Sequence, residues 1–343
     1  MKLYEIILKP LSGFGTSLKG DTLFGCFCWQ AAYDSSLLNG GLDKWISCYK
    51  ERPFVVFSSA WPKIEDNGTF FYAFKRPDMP NSFLFSTSTE DKRKAMEQLK
   101  ENKKKKWMKV DEDLSLDLQH VEYLTDNDLV KKAYRQATGE TKRMLRRERD
   151  QAFCRDFIQQ HNTINRLTMT TGEGMFAPFT ETNLFYYPET ELAVFILIDE
   201  NATDVERLCT ALGNIGKFGY GKDASTGMGR FDLGECDELH IPHTTDANAC
   251  YTLAPSVPEN AAYANAYFAP FVRFGKHGDI LAHSANPFKN PVIMADEGAV
   301  IFPKDETLFK RPFLGKAVSG VSKSMPETVV QGYTPYIPLK LEI

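Results

Sequence analysis

The segment Gly213-Asn-Ile-Gly-Lys-Phe-Gly-Tyr-Gly-Lys-Asp-Ala-Ser-Thr-Gly-Met-Gly-Arg230 gathers six glycines, three cations and two adjacent hydroxyls in eighteen residues. Those residue types could hold an anion. Glycine accumulates where backbone must take positive φ or approach a ligand closely, and successive N–H groups in such turns form phosphate-sized nests. Lys217, Lys222 and Arg230 would set charge beside the nest, next to the hydroxyls of Ser225 and Thr226. The P-loop pattern G-x-x-x-x-G-K-[ST] is absent, because Lys222 is followed by Asp223 and Ala224. That disfavours a triphosphatase and leaves three readings open: a polyphosphate site, a nucleic-acid backbone site, or a glycine-rich hairpin with no ligand.

A second loop, Gly13-Phe-Gly-Thr-Ser-Leu-Lys-Gly-Asp-Thr-Leu-Phe-Gly25, places Lys19, Gly20 and Thr22 around an expected helix start. A phosphate there would meet unpaired N–H groups and the positive end of the helix. Asp21 competes for the same place, since as an N-cap it would fill the site with its own carboxylate. Direct contact with an anion and a purely structural turn are both compatible with this pattern. A third cluster, His161, Asn162, Asn165 and Arg166, offers donors for phosphate, ribose or a base edge. His161 has the side-chain type of a general acid or base, yet no second histidine stands near it in the sequence.

Cys236, His240, His243 and Cys250 are zinc-compatible in type but not in finger spacing, and Cys26 and Cys28 fit burial on or near an apolar helix face. The carboxylates form no matched acid/base pair or two-metal set. No enzymatic turnover, metal or cofactor is therefore expected.

These residues need elements to position them. The 343 residues suffice for two ordinary domains, and no apolar run approaches the eighteen residues of a membrane span. Met1-Lys2 leads directly into strand-like sequence, so a soluble cytoplasmic protein without membrane association is expected. Seven cysteines without a C-x-x-C pair argue against a disulfide framework.

The net charge of −4 conceals blocks. Lys92 to Lys109 holds nine Lys/Arg, Val110 to Val130 holds seven Asp/Glu and no cation, and Lys131 to Arg155 again holds nine Lys/Arg. Such focusing suits a protein that grips a polyanion on one face, or else a solvated, charge-laced helical insertion.

Lys2–Leu8 reads as a strand, and Asp21–Asp34 as a helix with Leu23, Phe24, Phe27 and Ala31 on one face. The order repeats later, with Glu191–Ile198 as a strand and Thr203 to about Leu212 as a helix carrying a Thr203/Glu206 capping box. Glu90–Trp107 and Leu129–Ile158 read as helical or partly mobile insertions, without a stripe broad enough for deep burial. Pro291–Pro303 reads as a hairpin around Asp296-Glu-Gly298, and Thr328–Ile337 as a further strand. The reading is an α+β chain of two ferredoxin-like (RRM-like) domains. The first spans 1–165, with a charged insertion at about 89–160; the second spans 166–343, with the glycine-rich loop at 213–230.

Five motifs follow one another along nearly the full chain. They are Leu18-Lys-Gly-Asp-Thr-Leu-Phe-Gly25, His161-Asn-Thr-Ile-Asn-Arg-Leu-Thr168, Gly219-Tyr-Gly-Lys-Asp-Ala-Ser-Thr-Gly-Met-Gly-Arg-Phe231, Asn286-Pro-Phe-Lys-Asn-Pro-Val292 and Val329-Val-Gln-Gly-Tyr333. As an ordered set they resemble the fourth Csm subunits of type III-A CRISPR effector complexes, group-five members of the RAMP superfamily. The resemblance implies a noncatalytic ribonucleoprotein subunit that holds the repeat-derived 5′ tag of the CRISPR RNA. It also implies that the subunit joins the large polymerase/cyclase-like subunit to the repeated RAMP backbone subunit and meets target RNA only indirectly.

By that similarity, Lys19, Gly20, Asp21, Asn162, Arg166, Lys222, Ser225, Thr226 and Arg230 are the RNA-groove candidates, with His161 and Lys217 beside them. Asp223 and Met228 depart from the more cationic loop expected of many RAMP proteins. Two other functions fit the same architecture: a metal-independent CRISPR RNA processing endoribonuclease using His161, and a bridge that binds only proteins.

Overall fold

The computed structural model describes residues 1–85, 92–146, 152–259 and 262–342. Strand β1 (Lys2–Pro10) leads into α1 (Gly20–Tyr33), the short α2 (Leu42–Cys48) and the hairpin of β2 (Val55–Asp66) and β3 (Thr69–Lys75). Next come α3 (Asn81–Leu84), α4 (Lys92–Lys104), β4 (Lys105–Asp111), β5 (Tyr123–Thr125), α5 (Asp126–Gln136) and α6 (Gly139–Leu145). A separate hairpin of β6 (Cys154–His161) and β7 (Phe179–Tyr186) precedes β8 (Glu191–Ile198), α7 (Val205–Phe218) and β9 (Phe231–Leu239).

The first sheet has the order β5-β4-β3-β2-β8-β1-β9. Its inner part, β2-β8-β1-β9 with α1 and α7 as the connections after β1 and β8, is the ferredoxin-like βαββαβ arrangement. Glu191–Ile198, expected to open a second unit, instead lies between β1 and β2 and pairs antiparallel with both. The physical reason is its composition. All but one of its residues are buried, so the strand needs a partner on each side and cover on both faces. The two strand–helix starts are thus the two halves of one sheet.

The remaining strands are β10 (Ala249–Thr252), β11 (Tyr263–Tyr267), β12 (Pro270–Arg273), β13 (Val292–Ala295), β14 (Val300–Pro303), β15 (Phe313–Gly315) and β16 (Tyr333–Leu339). They form a five-stranded sheet, β11-β14-β10-β16-β15, and a β12-β13 ribbon. The two arms expected to pair as a hairpin over Pro291–Pro303 do not pair with each other, since β13 pairs with β12 whereas β14 pairs with β10 and β11. The turn at Asp296–Gly298 therefore carries the chain from one sheet to another. Tyr251, Leu253 and Ile337 of this region enter the same apolar core as β1, β2 and β8. Inside it, Gln331 of the Val329–Tyr333 motif accepts from the Phe57 N–H at 2.9 Å and donates to Phe57 O at 2.8 Å, next to an irregularity in the pairing of β2. The whole is an α+β, ferredoxin-like fold of antiparallel sheets with a helical insertion.

The charged insertion has a core of its own. Leu124, Leu129, Leu145 and Phe153 pack with Ile64, Phe71 and Ala73, so a few well-spaced leucines achieve the deep burial that the sequence pattern did not promise. Helix α5 starts at a Thr125/Asp128 capping box. Of the expected helix Glu90–Trp107, residues 90 and 91 lie outside the described residues and Lys105 onward is strand. Of Leu129–Ile158, residues 147–151 lie outside them and Cys154 onward is strand.

Two caps also differ from expectation. Asp21 sits within the first turn of α1, after an N-cap at Lys19, and Asp204 instead of Thr203 caps α7 by accepting from the Arg207 N–H at 2.9 Å. Thr203 donates its hydroxyl to Leu37 O, which removes it from capping. Among the described residues, no helix is long and apolar enough to cross a membrane.

Candidate nucleic-acid interface

The loop before α1 and the glycine-rich loop after α7 clasp each other. Gly229 N–H donates to Gly13 O at 2.7 Å, Arg230 N–H to Ser12 Oγ at 2.9 Å, and Lys222 N–H to Thr16 Oγ1 at 3.0 Å. Buried Tyr220 locks the join from below by donating its hydroxyl to Ser17 O at 2.9 Å. The glycines serve this geometry. A Cβ on Gly229, at φ +72, would lie 2.1 Å from Tyr220 O, and one on Gly221, at φ +73, would lie 2.7 Å from Thr16 Cβ.

The N–H groups of Gly219, Tyr220, Lys222, Thr226, Gly227, Met228, Gly229 and Arg230 are all donated within the protein. A loop-wide anion nest therefore has few donors left, and side chains must supply most of any grip. Lys217, Lys222, Ser225, Thr226 and Arg230 are exposed along this clasp, and Arg230 Nη1 donates to Lys217 O at 2.9 Å, fixing the guanidinium at the end of α7.

The β6–β7 hairpin brings His161 to the same place. Its ring stacks on Phe179 at a centroid distance of 5.3 Å, and its Nε2 lies 3.7 Å from Glu181 Oε2. Lys222 Nζ lies 3.4 Å from Glu181 Oε1 and 3.2 Å from Asp223 Oδ2. Burial would lower the Lys222 ammonium, but the Asp223 and Glu181 carboxylates raise it above the ordinary lysine value. Glu181 thus joins two cation candidates from segments far apart in sequence. Asn162 and Arg166 follow His161 in an exposed loop, and neither side chain makes a hydrogen bond or ion pair among the described residues. The hairpin also exposes Ile158, Ile164, Leu167, Met169 and Met175, with Leu167 95% exposed.

Lys19, Gly20 and Asp21 have structural partners. Lys19 Nζ reaches Asp296 and both Glu297 oxygens, at 2.6 Å for each of the latter, and lies 4.5 Å over the Phe271 ring. Its side chain is only 12% exposed. At Asp296 burial is outweighed by Lys19, which holds that carboxyl below its ordinary value. At Glu297 burial prevails over Lys19 and pushes the carboxyl up. Asp21, with its side chain 2% exposed, takes the Arg273 guanidinium in a fork with Nη2–Oδ1 at 2.9 Å. A Cβ on Gly20 would meet Phe57 O at 2.3 Å, so α1 can approach β2 only because that residue is glycine.

Arg273, Asp296, Glu297 and Glu181 carry no signal in the sequence that marks them as partners of these cations and carboxylates. Asp296 and Glu297 are legible only as turn residues, Arg273 and Glu181 as isolated charges, and only the crossing of the two sheets or the placement of the hairpin gives them these partners. Of the zinc-compatible set, Cys250 is buried in β10 while Cys236 is exposed on β9. Among the described residues, no group of three or more His, Cys, Asp or Glu is placed to hold a metal.

No family model and no curated protein significantly matches the sequence. Solved structures do match in shape. A chain of the crystal structure of a Csm1-Csm4 cassette in complex with pppApA superposes with a TM-score of 0.54 at 13% identity, over 100% of this chain and 99% of that one. A chain of the Csm3-Csm4 subcomplex in the type III-A CRISPR-Cas interference complex superposes with a TM-score of 0.53 at 14% identity, over 99% and 100%. The Csm1-Csm4 cassette in complex with cA4 gives 0.54 at 12% identity. This chain shares its fold, from end to end, with chains of Csm1-Csm4 and Csm3-Csm4 assemblies.

Proposed function

We propose that the chain is a noncatalytic CRISPR RNA-binding subunit of a type III-A interference complex, working in the cytoplasm. It holds the repeat-derived 5′ tag and links the large polymerase/cyclase-like subunit to the repeated RAMP backbone subunit, meeting target RNA only through that RNA. One observation carries the reading: the glycine-rich loop, the loop before α1 and the β6–β7 hairpin converge, bringing Lys222 and His161 to Glu181 and leaving Lys217 and Arg230, joined by a hydrogen bond, exposed on the same clasp, with Asn162 and Arg166 on the loop that follows His161. The full-length likeness in fold to chains of Csm assemblies supports it.

In this account the exposed side chains contact phosphate and ribose, while Lys19, Gly20 and Asp21 hold the frame that orients them. The proposed division into two units, 1–165 and 166–343, stays part of this reading, with the β2-β8-β1-β9 sheet drawing strands from both of them.

Replacing Lys222 and Arg230 together by alanine should weaken retention of tag RNA while leaving the fold intact. The dependence of log affinity on log salt should also flatten, by roughly 0.7 for each phosphate that is no longer neutralised. A salt-titrated binding assay checks this, and an unchanged affinity and slope would refute the placement. Glu181→Gln should act in the opposite direction. Lys222 and His161 would lose a competing carboxylate, and RNA affinity should rise by roughly 1.4- to fivefold, in keeping with about 0.2–1 kcal/mol for an ion pair near the surface.

A further inference from the structure

A cavity of about 800 Å³ opens between the N-terminal sheet and the C-terminal strands, within the range of about 300–1,000 Å³ common for small-molecule sites. Trp61, Trp107, Tyr186 and Phe268 line it with aromatic surface, and it adjoins the loop before α1 through Ser17, Leu18 and Lys19. Its polar groups are unequal. Glu297 is occupied by Lys19 and Ser59. Asp78 Oδ2 accepts from Lys75 Nζ at 3.0 Å and from the Ala269 N–H at 3.1 Å, leaving Oδ1 without a donor among the described residues. Among the described residues Arg76 donates from Nη1 to Asn102 O at 3.0 Å, and Lys106 is exposed, with one ammonium donor on Asp126 Oδ2 at 3.3 Å. Aromatic walls, a carboxylate oxygen with no protein donor among the described residues and two cations with spare donors match the parts of a nucleotide.

We propose that this cavity takes one nucleobase of a single-stranded RNA, with an exocyclic amino group donating to Asp78 and the adjoining phosphate on Arg76 and Lys106. The inference rests on the RNA-binding reading above and adds a base preference to it. Adenine, cytosine and guanine carry an amino donor, whereas uracil would turn a carbonyl toward the carboxylate, and a single well-placed contact of this kind discriminates by about tenfold. Stacking on Phe268, which is itself 42% exposed, is indifferent to base identity and adds affinity. A free mononucleotide carries the same chemistry, so the test must separate it from a strand.

The full chain is titrated with labelled oligo(A), oligo(C) and oligo(U), and with AMP followed by tryptophan quenching. Phe268→Ala and Arg76→Ala should each weaken oligo(A) binding by about tenfold, and Asp78→Asn should narrow the preference for oligo(A) and oligo(C) over oligo(U). Circular dichroism on each variant separates loss of binding from loss of fold, and crosslinking of oligo(A) to Tyr186 or Phe268 supplies a readout independent of the substitutions. Unchanged affinities in all three variants, with binding still lost in the Lys222→Ala/Arg230→Ala protein, overturn the cavity while leaving the groove intact. AMP bound as tightly as oligo(A) assigns the cavity to a free nucleotide and overturns the strand. Wild-type protein that binds no oligonucleotide and no AMP overturns this inference, and its failure on oligonucleotides removes the RNA reading itself.

Discussion

Lys19→Met is expected to destabilise the protein by about 3–5 kcal/mol, the range for removing one partner of a buried ion pair. Lys19 bridges Asp296 and Glu297 at the junction where the first sheet meets the turn between β13 and β14, and all three side chains are mostly shielded from water. The loss has little to do with the lysine's own contacts. Its removal leaves two adjacent carboxylates without a counter-ion, apart from Lys75 at 3.7 Å from Asp296. The deficit should shrink on acidification. Burial already raises Glu297 in the folded protein, so protonation favours the folded state, and the variant should regain stability as pH falls through that raised value. Urea unfolding of both proteins at neutral and mildly acidic pH checks the prediction. A loss under about 1 kcal/mol would show the triad to be no more than an exposed pair.

Gly229→Ala should cost about 3 kcal/mol or more, because it adds a steric conflict to left-handed backbone strain of about 1–3 kcal/mol. The new Cβ would lie 2.1 Å from Tyr220 O and 2.5 Å from Tyr220 N, both backbone atoms that cannot rotate away. Relief requires opening the two hydrogen bonds that close the clasp, Tyr220 N–H to Gly229 O and Gly229 N–H to Gly13 O. Gly227→Ala is the internal comparison. It also has positive φ, at +95, but its Cβ would meet nothing within 4 Å, so only the conformational cost of about 1–2 kcal/mol applies. Thermal melting of the two variants should separate them clearly, and equal losses would mean that the clasp is not rigid.

Periodicity and composition disclose the elements well where burial is uniform. Lys2–Leu8 and Glu191–Ile198 are strands because their apolar runs admit no other placement. Connectivity is less legible, because a strand–helix start looks the same whether it opens a new domain or completes an old sheet. Only the pairing of β8 with both β1 and β2 distinguishes these cases. The hairpin expected at Pro291–Pro303 does not form for a related reason, since a turn sequence fixes the reversal of the chain but not the sheet that each arm joins. At the site, the exposed cations and hydroxyls of the glycine-rich loop are readable as types. What is not readable is that Lys19 and Asp21 find Glu297, Asp296 and Arg273 more than 250 residues away. Nor can spacing show that the loop's glycines accommodate Tyr220 and Thr16.

The RNA that the chain carries reports most directly on the proposal that it holds the 5′ tag of a CRISPR RNA. Purification of the full chain with its effector complex, followed by sequencing of the 5′ ends of the bound RNA, should return one repeat-derived end common to all guides. That end should be lost or depleted when Lys222 and Arg230 are replaced by alanine. Bound RNA with heterogeneous 5′ ends, unchanged by the substitutions, would contradict the account.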